Sequence, residues 1–398
     1  MTARALVISA LAQGPSTLHG PLRARDTELM AAGLRAMGSY VSTMDDQQWL
    51  VRPRPLAGPA AVDVGLAGTV MRFLPPLAGL ASGEVRFDGD PRARQRPLRP
   101  LVEALRAAGV ELAASPSGGL PLTVRGTGRV AGGEVSLDAS ASSQLVSGLL
   151  LSGARFSRGL VVRHIGGQVP SRPHLRMTAQ MLRAAGAGVD DSEPDVWVVE
   201  PGPLSGRAWQ IEPDLSGAAP FLAAALVTAG EVTVAGWPRS STQPGDQLRS
   251  LLEAMGARCT LTRAGLTVRG GGTIHGIDAD LSDVSELTPV VAALCTLADR
   301  PSRLSGIAHI RGHETDRLAA LARELTALGA QVTESADGLA IQPRPLRGAT
   351  FETYDDHRLA HAAAVIGLVV PGVRLTDAAC TAKTLPEFPA LWSAMVQG

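Results

Sequence analysis

The chain has 398 residues and balances 37 Lys+Arg against 37 Asp+Glu, so it lacks the basic excess that a nucleic-acid or anionic-membrane surface requires. Hydrophobic residues make up 45% and charged residues 19%, which excludes a disordered chain. The length predicts two domains, and aromatics at only 3% leave Ala, Leu and Val to fill the cores.

Two kinds of predicted helix alternate along the chain. The first is amphipathic, with apolar residues at i, i+3, i+4 and i+7. It covers 29–41, 101–112, 175–189, 248–261 and 318–332. Each copy closes on a glycine (Gly38, Gly109, Gly186, Gly256, Gly329), and these recur every 70–77 residues. Glycine suits the position just past a helix end because it adopts the left-handed conformation freely. The second kind is small and apolar, and starts near Thr2, Gly68, Ser142, Ser216, Ser285 and Asp356. A strand-like segment leads into copies two to six. The unit is therefore strand–helix–strand–helix–strands over about 70 residues, a repeat architecture. Six units give two three-unit domains, 1–212 and 213–398. The first unit begins directly at its helix, so the repeat predicts a leading strand that the sequence as written does not contain.

The turns before the second kind of helix hold the polar residues. Helix N-termini present free N–H groups and a partial positive charge that favour anions, although short polar residues there also serve as caps. Gly68 opens GTVMR, with Arg72 one turn in. DPRARQRP at 90–97 concentrates arginines, including Arg96. Ser142, Ser143 and Gln144 place two hydroxyls and an amide at one helix start. Glu286 lies in SDVSELTP, suited to a general base or to favourable interaction with the helix dipole. HETDRL holds His313, Glu314 and Arg317. DDHR holds Arg358. CTAKT holds Lys383, the single lysine in a chain with 36 arginines. Bidentate arginines suit phosphate and carboxylate, so the expected ligands are small and heavily anionic. GxxxxGK[ST], GxGxxG, HExxH and GxSxG are absent, which argues against ordinary kinase, dehydrogenase, zinc-protease and serine-hydrolase chemistry. Cys259, Cys295 and Cys380 form no CxxC pair, so a zinc site or disulfide frame is not expected. No apolar stretch reaches the ~20 residues of a membrane span. A soluble cytoplasmic protein is expected.

GTVMR, DPRARQRP, SSQ, HETDRL, DDHR and CTAKT, in this order and spacing, resemble the 5-enolpyruvylshikimate-3-phosphate (EPSP) synthase family over essentially the whole chain. The resemblance implies an α/β fold of two inside-out barrels, each of three units, with the active site in an interdomain cleft. It implies transfer of the enolpyruvyl group of phosphoenolpyruvate to the 5-hydroxyl of shikimate 3-phosphate with release of phosphate, in a monomeric enzyme without metal or organic cofactor. Ser142, Ser143, Gln144 and Ser171 would hold shikimate 3-phosphate, with Arg4, His174, Glu286, His309 and His313 also on that substrate. Gly68, Arg96, Arg317, Arg358 and Lys383 would hold phosphoenolpyruvate. Glu286, Glu314 and Lys383 would be catalytic. His313 stands where many members have Lys, His309 where many have Asn, His174 for a common Tyr and Leu66 for a common Asn.

The family signature P-G-S-K-S, followed by x-x-N-R-A-L, is met here only from Arg4-Ala5-Leu6, with Ala3 at the Asn position. The resemblance thus implies that the chain as written is impaired and less stable than a form carrying that segment. A start codon placed too late is the leading explanation, ahead of a pseudoenzyme or a lineage variant. Two other readings stand beside the synthase. One is the sister transferase acting on UDP-N-acetylglucosamine, whose loop cysteine has no counterpart within 88–99. The other is a non-catalytic anion-binding protein.

Overall fold

Both helix periodicities are realised in the computed structural model, which describes residues 1–42 and 47–397. Among the described residues the helices run, in chain order, α1 Thr2–Ala10, α2 Arg25–Ala36, α3 Gly68–Ala78, α4 Arg99–Ala107, α5 Gln144–Gly153, α6 Arg172–Ala184, α7 Ala219–Thr228, α8 Leu248–Ala254, α9 Thr288–Thr296, α10 Arg317–Ala327, α11 His357–Gly367 and α12 Phe388–Gln397. The five glycines after the even-numbered helices α2 to α10 all have φ between +89° and +113°, a region that side-chain-bearing residues reach only with strain.

The odd-numbered helices α5, α7 and α9 start two or three residues later than the polar sequence signals. Ser142 and Ser143 stay in the turn, where the Ser142 hydroxyl accepts from the Gln144 N–H at 3.3 Å. Pro220 and Pro289 sit in the first turns of α7 and α9, where their missing N–H costs nothing. A 3₁₀ turn at Ser285–Leu287 precedes α9.

Chain contacts divide the molecule into two compact units, Met1–Ile211 and Glu212–Gly398. Each unit puts its small apolar helices inside: α1, α3 and α5 in the first, α7, α9 and α11 in the second. Leu145 to Gly153 of α5 and Thr288 to Thr296 of α9 are buried throughout, as expected of helices that are apolar all round. The sheets lie outside them. In the usual pattern the strand leading into a central helix pairs in parallel with the strand leaving it. Ala60–Asp63 with Ser82–Asp88, Gly133–Leu137 with Leu160–His164, Asp278–Asp280 with Ser302–Ser305 and Thr350–Phe351 with Arg374–Leu375 follow it. Antiparallel strands complete three of these sheets.

Two sheets differ. Ser16–His19, leaving α1, takes its parallel partner from Ala208–Gln210 at the far end of the same unit. Glu231–Ala235, leaving α7, pairs antiparallel with Gly265–Arg269 and has no parallel partner among the described residues.

Central-helix packing depends on glycine. A Cβ at Gly148 on α5 would lie 2.1 Å from the Arg72 carbonyl oxygen on α3, a backbone atom that cannot swing away. Gly148→Ala is expected to lower the unfolding free energy by about 1–3 kcal/mol in denaturant titration. Gly14→Ala, where a Cβ meets nothing within 4 Å, is expected to change it by less than about 0.5 kcal/mol.

Candidate active site

In the first unit the polar residues gather at the N-terminal turns of α1, α3 and α5. Gly68 opens α3, and a Cβ there would come within 2.9–3.0 Å of Arg72 Nη1, Gln144 Oε1 and Arg96 Nη2. The missing side chain is what lets these groups converge. Arg72 is 1% exposed; it donates to Gln144 Oε1 at 3.1 Å and to the Pro97 carbonyl at 3.2 Å. Arg96 donates to the Leu66 carbonyl at 3.1 Å. Arg4, on α1, donates to Thr178 Oγ1 at 2.8 Å, Ser147 Oγ at 3.5 Å and the His174 carbonyl at 3.3 Å. It also lies over the Phe73 ring, 5.3 Å from its centroid.

Ser143 and Ser171 are buried. Ser171 precedes α6 with φ +52°, a costly conformation for a residue with a Cβ. The structure thus brings Gly68, Arg96 and Gln144 together, with Ser142 and Ser143 on the adjoining turn. Arg4 shares partners with the α6 face that carries His174.

The second unit holds a buried chain of charges. Arg317, 2% exposed, and Asp356, fully buried, make a bidentate pair at 2.7 and 3.0 Å. Arg317 also donates to Glu314 Oε2 at 3.0 Å and lies 3.0 Å from His313 Nδ1. Glu314 in turn accepts from Lys383 Nζ. Asp356 caps α11 by accepting the Arg358 N–H at 2.9 Å, and Arg358 Nη1 donates to the Ser216 carbonyl at 2.5 Å. Tyr354 and Asp355 both have positive φ, so the turn that delivers Asp356 is strained. Burial opposes the Arg317 charge, but the Asp356 and Glu314 carboxylates more than offset it and hold its pKa above the usual range. Glu286 lies on the 3₁₀ turn before α9. Burial lowers the His309 pKa, and the Glu286 charge works against that shift. The His309 and His313 rings are edge-to-face at 5.8 Å.

Glu314, Arg317, Arg358 and Lys383 therefore converge within the second unit, with His313 beside them. The sequence reading marked Asp356 only as a helix start and did not pick out Ser147 or Thr178. An acid directly before a polar-then-apolar helix start was the available signal for Asp356; nothing local marks the other two. Burial pushes the Cys380 thiol, three residues from Lys383, up to about 12, and Cys295 likewise to about 12, so neither is a thiolate nucleophile at neutral pH. Among the described residues no cluster of His, Cys, Asp and Glu could hold a metal ion, and no helix is long and apolar enough to cross a membrane.

Buried cations, hydroxyls and a carboxylate–lysine pair at helix starts, carried on two units with helices inside and sheets outside, define an α/β enzyme for small anionic substrates. The particular family follows from comparison with known proteins. Residues 1–392 match the model of the EPSP synthase (3-phosphoshikimate 1-carboxyvinyltransferase) family, and the chain belongs to it. Its fold is that of two structures of EPSP synthase from Acinetobacter baumannii, each 24% identical, with TM-scores of 0.82 and 0.81 over 99% of this chain and 93% of those. It is also that of the enolpyruvyl transferase NikO from Streptomyces tendae, 17% identical, with a TM-score of 0.77 over 99% of this chain and 92% of that one. The chain is thus a transferase of the shikimate pathway, which leads to the aromatic amino acids.

His357 and His361 on α11 are buried with their pKa values lowered well below the ordinary one, by burial first and then by the Arg358 charge. Neither ring nitrogen of His361 has a hydrogen-bond partner among the described residues, and its ring packs on Phe388 at 4.4 Å. Both stay neutral in the fold, whereas the unfolded chain protonates them below pH ~6.5. Stability is therefore expected to fall as pH drops below that value, by about 1.4 kcal/mol per pH unit for each group until its folded pKa is reached. Denaturant titrations at pH 7, 6 and 5 should show a smaller acid loss for His361→Phe than for the parent chain.

Proposed function

We propose that residues of both clusters carry out the transfer of the enolpyruvyl group from phosphoenolpyruvate to shikimate 3-phosphate. Ser142, Ser143, Gln144, Ser171 and Arg4 hold shikimate 3-phosphate, with His174, His309 and His313 completing its surroundings. Gly68 and Arg96, with Arg317, Arg358 and Lys383, hold phosphoenolpyruvate. The substrates carry several negative charges, and guanidinium groups with helix N-termini offset their mutual repulsion.

Glu286 takes the 5-hydroxyl proton as that oxygen forms a bond to the central carbon of phosphoenolpyruvate. The methylene carbon gains a proton, giving a tetrahedral adduct that keeps both phosphates. The bond from the central carbon to the phosphate oxygen then breaks. Phosphate leaves with the bonding pair, a methyl proton is lost and the double bond re-forms. Glu314 and Lys383 carry the proton to and from the methylene carbon and to the departing phosphate. Their direct hydrogen bond, with Arg317 also on Glu314, is the observation that best supports this reading: an amine and a carboxylate are already in contact beside a cation suited to phosphate. The reading includes a monomeric, cytoplasmic enzyme that uses no metal or organic cofactor.

The test is phosphate release. It is expected only when phosphoenolpyruvate and shikimate 3-phosphate are both present, and UDP-N-acetylglucosamine should not replace the latter. Release with phosphoenolpyruvate and the nucleotide sugar, but not with phosphoenolpyruvate and shikimate 3-phosphate, would transfer the reading to the sister reaction. Binding of shikimate 3-phosphate without any turnover would mark a non-catalytic protein. Lys383→Met and Glu314→Gln are each expected to lower kcat by about 100- to 10,000-fold, with shikimate 3-phosphate affinity nearly unchanged.

A further inference from the structure

The far ends of α1, α3 and α5 border a cavity that the reaction above does not use. It measures about 350 Å³, within the range of small-molecule sites. Residues just past all three helices line it: Leu11 after α1, Leu80 after α3 and Arg155 after α5. Arg54, from the segment between strands Gln48–Arg52 and Ala60–Asp63, and Arg129, past the strand Leu122–Thr127, complete a trio of exposed guanidinium groups.

None of the described lining residues is acidic. None of the three arginines makes an ion pair among the described residues, and the contact described for Arg54 is stacking over the Tyr40 ring at 5.7 Å. Several other surface arginines are matched, among them Arg94 with Asp88, Arg125 with Glu111, Arg163 with Glu134 and Arg249 with Asp246.

The ordinary explanation is that cations answer the partial negative charge of helix C-termini. Its magnitude falls short. Three C-termini supply roughly −1.5 elementary charges in all, against three full positive charges. Arg129 also follows a strand rather than a helix. About half of the positive charge therefore has no counterpart among the described residues, beside a concave surface whose other walls include Leu11, Leu56 and Leu80.

We propose that this cavity binds a small amphipathic anion, a phosphate or carboxylate on a compact apolar body, with the anionic group on Arg54, Arg129 and Arg155 and the apolar part against the leucines. Helices of 9, 11 and 10 residues separate it from the Gly68 cluster by about 14–17 Å. The site is thus distinct from the one that handles the substrates, and it does not depend on the roles assigned there.

Phenyl phosphate is the probe, titrated calorimetrically into the whole chain, with inorganic phosphate for comparison. The expected result is saturable binding, tighter for phenyl phosphate than for phosphate and weakened by added salt. Arg54→Gln/Arg129→Gln/Arg155→Gln should weaken it by about tenfold or more while leaving kcat and KM for both substrates unchanged. Arg129→Glu alone, at an exposed position that ends no helix, should produce the same loss and guards against misfolding of the triple variant. Equal binding to parent and variants would place the anion elsewhere and overturn the proposal. So would the absence of saturation, which would mark an adventitious counter-ion only.

Discussion

The buried pair between Arg317 and Asp356 is the interaction on which the second unit's polar cluster depends. Removing an ion from water costs several kcal/mol even after relaxation, and only close geometry with further hydrogen bonds repays it. Asp356 meets that condition by accepting from Arg317 Nε, Arg317 Nη2 and the Arg358 N–H. Arg317 extends the chain to Glu314, and Glu314 to Lys383. One carboxylate therefore sets the start of α11, the rotamer of Arg317 at the start of α10 and, through Glu314, the 3₁₀ turn Ala379–Lys383. The strain at Tyr354 and Asp355 is tolerated because the surrounding bonds over-determine that turn.

The first unit solves a related problem with different means. Arg4 and Arg72 are buried, yet the hydrogen bonds described above run from them to hydroxyl, amide and carbonyl oxygens. Helix starts supply further positive potential. Gly68 and Gly148 permit the close approach that lets these groups meet, so the packing of α3 on α5 and the chemistry at their first turns are one constraint. In the second unit Arg317 and Lys383 are already engaged with carboxylates, the arrangement that the proposed proton transfers require.

Much of this was legible in the sequence because it is local. The helix-ending glycines follow from a single backbone conformation, and their spacing exposed the repeat. The turns carrying Gly68, Ser142, Glu314 and Lys383 stood out by residue type. Long-range features were not legible. Glu314 and Lys383 are 69 residues apart and Arg317 and Asp356 are 39 apart, and nothing local pairs them. Gln210, next to the boundary between the two units, pairs with His19 far back in the chain, a choice made by register across the whole first unit. Of the two serines at 142 and 143, Ser143 holds the N-cap position without a side-chain cap bond, while Ser142 accepts from the Gln144 N–H, a division that residue type alone does not predict.

The central claim is that the Arg317 cluster serves phosphoenolpyruvate while the first unit's hydroxyl-rich turn serves shikimate 3-phosphate. The most direct test is Arg317→Gln, with shikimate 3-phosphate affinity measured by calorimetry and phosphoenolpyruvate KM by phosphate release. The account predicts a rise of about 30-fold in phosphoenolpyruvate KM, equivalent to losing about 2 kcal/mol of charged hydrogen bonding, with shikimate 3-phosphate Kd within about twofold of the parent. An unchanged KM, or equal weakening of both substrates, would contradict it.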